Sequence, residues 1–126
     1  MKSPIILEFH SKRLSDFDLR RIAKAQNENF DGPITAYLCG VAISNNVAVG
    51  VVFGHTRKGP FGRFDDGHYM RTSDIICARR EGRFWVLNTL NSRYVIATFQ
   101  RDIGRQTLRN FLMVSSQAIQ DPPSIQ

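Results

Sequence analysis

The chain has 126 residues, of which 42% are hydrophobic and 22% charged, a balance that indicates one compact domain and excludes a disordered polymer. It contains no apolar run near the roughly 18 to 20 residues that a membrane-spanning helix needs, and the apolar run near its N-terminus is too short for a secretory signal. The formal net charge of +6 favours a polyanionic partner such as nucleic acid or an acidic protein.

The two cysteines suggest where the protein works. Cys39 and Cys77 each lie in an apolar run, where cysteine commonly serves as a small hydrophobic residue. We therefore expect a cytoplasmic protein with reduced thiols and no membrane partner.

The N-terminal region predicts a short strand and a helix. Residues 5–9 form an apolar run that is compatible with a strand. Ser15 and Asp18 have the spacing of a capping box, and apolar residues then recur near the helical period. The pattern predicts a helix from residue 16 to residue 28, ended by Asp31-Gly32-Pro33.

The central region is rich in β-forming residues. Asn45 and Asn46 suit the tight turn of a hairpin, and we expect a bend or bulge at Thr72-Ser73-Asp74, where the alternation of the third run breaks. Five strands are predicted, at residues 34–43, 47–54, 69–79, 83–90 and 93–99.

The C-terminal region predicts a second helix, from about residue 103 to residue 118, with Asp102 as its candidate cap. Arg101, Arg105 and Arg109 are spaced i, i+4, which would place them on one face. The whole pattern predicts a single α+β domain over residues 1–120, followed by a disordered tail at 121–126. Five antiparallel strands with short turns would form a small open barrel of SH3-like or OB-like shape, or a curled sheet, with an N-terminal and a C-terminal helix. A five-stranded sheet covered by the two helices is the alternative.

The segment between the second and third strands, residues 54–68, has an uncommon composition. It contains four glycines and one proline, which exclude regular structure, and it is rich in cations and aromatic residues. Cations can follow phosphates while exposed aromatic rings stack on bases. This segment and the strand after it supply the candidate binding residues: Arg57, Lys58, Phe61, Arg63, Phe64 and Arg71.

Residues 54–94 contain a longer pattern that starts at Gly54-His55 and ends at Tyr94. In order it reads G-H, R-F-x-D-G, T-S and T-x-x-S-x-Y. The order resembles a pattern found in small proteins of phages, plasmids and bacterial genomes. The resemblance implies a compact β-rich domain and a mobile-element context, and it carries no catalytic residue over to this chain.

Metal binding is a weaker interpretation of the polar residues. His10, His55 and His68 do not have the short spacings of metal-ligand pairs. Asp66 and His68 could approach one ion, but a polar turn whose Asp side chains bond their own backbone explains them better.

Nucleophilic catalysis is weaker still. Ser73, His68 and Asp74 occur in one segment, yet Ser73 and Asp74 are adjacent and would point to opposite sides of a strand. The glycine-rich segment precedes a strand, whereas a phosphate cradle normally feeds a helix.

These patterns together predict a non-enzymatic binding module without catalytic residues, metal or cofactor. Nucleic acid is the first candidate partner. The alternative is a phage- or plasmid-encoded protein that binds and modulates, for example inhibits, a host protein with the same cationic and aromatic residues. Edge strands of a small sheet would also allow a homo-oligomer.

Overall fold

The structure is a computed structural model that describes residues 14–57 and 64–120, with the backbone alone for 116–120. The predicted strand at 5–9 and the predicted tail at 121–126 lie outside the described residues. Within them, no helix has the length and apolar character needed to cross a membrane. The elements are helix α1 (Asp16–Gln26), strands β1 (Ala36–Ser44), β2 (Val47–Phe53), β3 (Tyr69–Arg71), β4 (Cys77–Glu81), β5 (Phe84–Asn88) and β6 (Arg93–Ile96), and helix α2 (Gly104–Gln120).

Helix α1 begins with the predicted capping box. The Asp18 N–H donates to Ser15 Oγ at 3.0 Å, and the Ser15 N–H donates to Asp18 Oδ2 at 2.9 Å. These two bonds satisfy backbone donors that a helix start otherwise leaves unpaired. The helix ends at Gln26, with Asn27 as its C-cap, slightly before the predicted end.

The six strands form one mixed, open sheet in the order β3-β2-β1-β6-β5-β4. Strands β1, β2 and β3 make one antiparallel unit and β4, β5 and β6 another, and a parallel pairing of β1 with β6 joins the two units. The predicted α+β class is confirmed. The five-stranded antiparallel sheet is matched only roughly, and the described sheet is open rather than a closed barrel.

The sixth strand arises because the predicted strand at 69–79 is broken in two. Thr72 Oγ1 accepts the Ala48 N–H at 3.0 Å and donates to the Ser73 carbonyl at 2.8 Å. The Ile75 N–H donates to the Asn46 carbonyl at 2.7 Å. The expected bend at Thr72 is thus a complete crossing, which carries the chain from one edge of the sheet to the other.

This crossing requires the sheet to be strongly curled. A flat sheet of six strands would be about 24 Å wide between its edge strands, whereas the chain from Arg71 to Cys77 can span at most about 22 Å. The two edges must therefore approach each other. The described sheet is therefore open but curved.

The two helices cover opposite faces of the sheet. Leu38 packs with Leu108 of α2 in the largest core cluster, whereas its neighbour Cys39 packs with Ile22 of α1. Successive side chains of a strand point to opposite faces. The predicted alternative, a sheet covered by two helices, is therefore close to the observed arrangement.

Helix α2 begins in close contact with β1. A Cβ atom on Gly104 would lie 2.5 Å from the Val41 carbonyl oxygen, so only glycine fits there without a shift. Asp102 is not the cap, because the helix starts two residues later and Asp102 has a φ of 72°. The sharp turn before Gly104 therefore sets the positions of Arg105 and Arg109, which follow it on α2.

A buried ion pair ties β6 to β4. The Arg93 guanidinium contacts the Glu81 carboxylate, whose side chain is only 4% exposed. Arg93 Nε also donates to Asn88 Oδ1 at 3.1 Å, and the Asp31 N–H donates to Glu81 Oε1 at 3.0 Å. The side chain of Arg93 therefore has a structural role.

The pKa of Glu81 predicts a loss of stability in acid. Burial alone would raise this pKa, but the hydrogen bonds from Arg93 and Asp31 and the charges of Arg93 and Arg79 hold it below its ordinary value. A lowered folded pKa stabilises the protein fully above the unfolded value of about 4.3, and this contribution disappears as the pH falls through the folded pKa.

Urea unfolding of wild type and Glu81→Gln at pH 7 and pH 3 measures this contribution. The difference in free energy of unfolding between the two proteins should be large at pH 7 and should shrink at pH 3. Equal differences at both values would show that the ionisation of Glu81 does not contribute.

Candidate nucleic-acid interface

A groove of about 410 Å³ lies where β6 leaves the sheet and the chain turns into α2. Helix α1 forms one wall and the start of α2 the other. We call it the arginine groove, because four of its lining residues are Arg21, Arg101, Arg105 and Arg109.

The arginines come from three parts of the chain. Arg105 and Arg109 are one helical turn apart on α2, Arg21 lies on α1, and Arg101 lies in the turn between β6 and α2. The i, i+4 spacing therefore did place two arginines on one helical face. Arg101 precedes the helix but reaches the same groove.

Two of these guanidinium groups are held by contacts. Arg21 Nε donates to the Ala97 carbonyl at 3.0 Å, and its guanidinium lies 4.5 Å from the centre of the Phe84 ring. The Arg105 guanidinium lies 4.6 Å from the centre of the Phe99 ring. Cation–π contacts leave the edge donors of a guanidinium available, so these groups are oriented without being neutralised.

The charge of the arginine groove is strongly positive. Among the described residues that line it, Asp102 is the one carboxylate. Asp18 lies nearby, but its carboxylate accepts hydrogen bonds from the Thr98 hydroxyl at 2.8 Å and from the Ser15 N–H. An anion entering the groove meets several cations and little opposing charge.

A second groove of about 350 Å³ adjoins the first. Both are lined by the segment 98–101, which includes Arg101. The second groove extends over β2 to Tyr69 on the edge strand β3. We call the two together the basic surface.

The structure does not bring the predicted binding residues together. Lys58, Phe61 and Arg63 lie outside the described residues. Arg57 follows the end of β2 and contacts the Ser92 hydroxyl, whereas Arg71 pairs with Val49 near the start of β2.

Phe64 and Arg71 have different surroundings. Phe64 is half-buried against the largest core cluster, and its ring stacks on His55 at 4.1 Å between centroids. Arg71 is exposed and lies two residues from Tyr69 on the same strand, beside the basic surface.

Several described residues of the G-H…T-x-x-S-x-Y pattern hold turns in place. His55 is buried, and its Nδ1 accepts the Arg57 N–H at 2.9 Å. Asp66 Oδ1 accepts the Gly54 N–H at 2.8 Å, and the Thr89 N–H donates to the Ser92 carbonyl at 2.9 Å. These contacts give the pattern a structural role around the loops that flank β2 and β6.

The titratable side chains do not assemble a metal or thiol site in the described part of the chain. No group of three or more His, Cys, Asp or Glu side chains there could hold a metal ion. Burial, and to a lesser extent the charge of Arg57, lowers the pKa of His55. Both cysteines are free, and burial raises the pKa of Cys39 to about 12, which makes it a poor nucleophile.

Sequence reasoning missed most of the basic surface. Phe17 and Arg21 fall in the predicted first helix and Tyr69 begins a predicted strand, and none of the three is among the predicted binding residues. The sequence indicates a shared face for the three arginines near α2, but not a site. That spacing, in a basic chain, was the available signal.

Searches against known protein families, curated proteins and solved structures found no match.

Proposed function

We propose that the protein is a non-enzymatic nucleic-acid-binding module that acts in the cytoplasm. The observation that carries this proposal is the convergence of Arg21, Arg101, Arg105 and Arg109 on one groove. Arginine presents a planar fork of donors that matches phosphate oxygens. A cluster of four such groups suits a polyphosphate backbone better than a single small anion.

The number of arginines gives an expected salt dependence. Binding of four arginines to the phosphates of a single strand gives a slope of about −3 in log K against log salt, because each contact releases counterions. Raising the salt from 50 to 200 mM would then weaken binding about 50-fold.

The direct test is a fluorescence-anisotropy titration of labelled single- and double-stranded DNA and RNA at these two salt concentrations. We expect micromolar or tighter binding at 50 mM salt and a steep loss at 200 mM. Absence of binding at 50 mM would refute the proposal, and affinity that does not change with salt would show that phosphates are not the main contacts.

Binding to a host protein is the second candidate function. Ile76 and Leu90 are both largely exposed, and the Ile76 N–H donates to the Asn88 carbonyl at 2.7 Å, which places both near the turn between β5 and β6. Leu90 lines a surface groove together with Arg57, and exposed apolar side chains beside a cation are suited to a protein interface. If nucleic acid does not bind, capture of a host protein by the wild type but not by Ile76→Asp/Leu90→Asp would support this alternative.

A further inference from the structure

We propose that the ligand is a single strand whose bases stack on Phe17 and Tyr69 while its phosphates contact the arginines between and beside them. This inference rests on the proposed nucleic-acid function and specifies the form of nucleic acid. It is based on the positions of the exposed aromatic rings.

Phe17 and Tyr69 are the two solvent-exposed aromatic side chains among the described residues. Phe17 is 56% exposed and Tyr69 is 69% exposed, and every other Phe, Tyr or Trp in the described ranges is at least half-buried. Single exposed apolar side chains are common on protein surfaces, so the position of these two rings matters more than their exposure alone.

Both exposed rings lie on the basic surface. Phe17 lines the arginine groove and Tyr69 lines the adjoining groove. Arg101 lines both grooves, so it lies between the two rings. Cations that track the backbone and rings that stack on bases are the combination that single-strand-binding proteins use.

The strand register gives the span of this surface. Tyr69 pairs with Val51, Val51 pairs with Cys39 on β1, and β1 lies next to β6. Three strand spacings amount to about 14 Å. The surface is therefore long enough for several nucleotides, with Arg71 at one end and Arg109 at the other.

A duplex would not use these rings in the same way. Its bases are stacked on one another, so a protein ring can stack on a base only after unstacking, which costs free energy. A single strand offers its base faces directly. The arginines alone would bind both forms, whereas the two rings should favour the single strand.

The test compares Phe17→Ala and Tyr69→Ala with wild type on a single strand, on the matching duplex and on an abasic oligomer of the same length. Each substitution should weaken single-strand binding by about 5- to 150-fold and should change duplex and abasic binding by less than about twofold. Phe17→Tyr and Tyr69→Phe keep a ring and should restore single-strand binding.

Val114→Ala is the matched control, because it trims an exposed apolar side chain that lines a separate groove away from the basic surface. It should leave all three affinities unchanged. The melting temperature of each variant shows whether it is folded, and the Tyr69→Phe variant remains informative if Tyr69→Ala destabilises β3.

The outcomes separate this inference from the function on which it rests. Equal wild-type affinity for single strand, duplex and abasic oligomer would leave nucleic-acid binding in place and overturn the stacking proposal. Unchanged single-strand binding by both alanine variants would do the same. Absence of binding to every oligomer would overturn both.

Discussion

Replacing Arg93 by Ala should lower the free energy of unfolding by about 3–5 kcal/mol, because it leaves a buried carboxylate without its cation. The Glu81 side chain is 4% exposed and Arg93 is 20% exposed. The variant also loses the hydrogen bond from Arg93 Nε to Asn88. Urea unfolding at pH 7 measures the effect, and a change below about 1 kcal/mol would contradict the structural role assigned to this pair.

Two further variants separate charge from packing. Arg79→Ala removes an arginine whose contact with Asp31, at 3.9 Å, is exposed on both sides, so it should cost no more than about 1 kcal/mol. The double variant Glu81→Met/Arg93→Met removes both buried charges and should be more stable than Arg93→Ala. If it is less stable, lost packing explains the effect better than an unpaired charge.

The second large effect concerns binding. The Arg101→Glu/Arg105→Glu variant should weaken nucleic-acid binding by at least about 25-fold at 0.1 M salt, which is the counterion-release contribution of two lost phosphate contacts. The introduced carboxylates repel phosphates and weaken binding further. Both residues are exposed, so the fold should be retained, and anisotropy titration measures the loss.

A matched control and a competing site accompany this prediction. Arg79→Glu/Arg80→Glu changes the net charge equally, but on edge strand β4, so it should have a much smaller effect because salt screens charges beyond about 10 Å. The triple variant Arg57→Ala/Lys58→Ala/Arg63→Ala tests the binding loop predicted from the sequence. Loss of binding in the triple variant alone would place the site at the loop and contradict the arginine groove.

Local structure could be predicted where short-range chemistry decides it. The capping box at Ser15 and Asp18, and the left-handed Asn45 and Asn46 of the hairpin turn, depend on neighbours a few residues away. The six-strand order depends on the Thr72 hydroxyl, which accepts a hydrogen bond from the N–H of Ala48, 24 residues earlier in the chain. Periodicity shows that residues 69–79 are extended, but it does not show that they leave one edge of the sheet for the other.

The parallel pairing of β1 and β6 was unpredictable for a related reason. Both strands are apolar on both faces, which indicates a central position but not a partner or a direction. Five strands with short connections favoured antiparallel neighbours. The crossing at Thr72 reverses that expectation by sending β4 to the far edge.

The candidate site was hidden because its members are distant in sequence. Phe17 follows the cap of the first helix and Arg109 lies in the last, with Tyr69 between them on an edge strand. Clustering in the sequence favoured the segment around Arg57 instead. Exposure decides which aromatic rings can bind, and the sequence alone does not show which rings the core leaves uncovered.

The salt dependence of single-strand binding, measured for wild type and for Arg101→Ala/Arg105→Ala, tests the proposed function most directly. Alanine removes two phosphate contacts without adding repulsion, so the slope of log K against log salt should change from about −3 to about −1.5. A slope that is the same in both proteins would mean that these arginines do not contact phosphates, and would contradict the arginine groove as the nucleic-acid site.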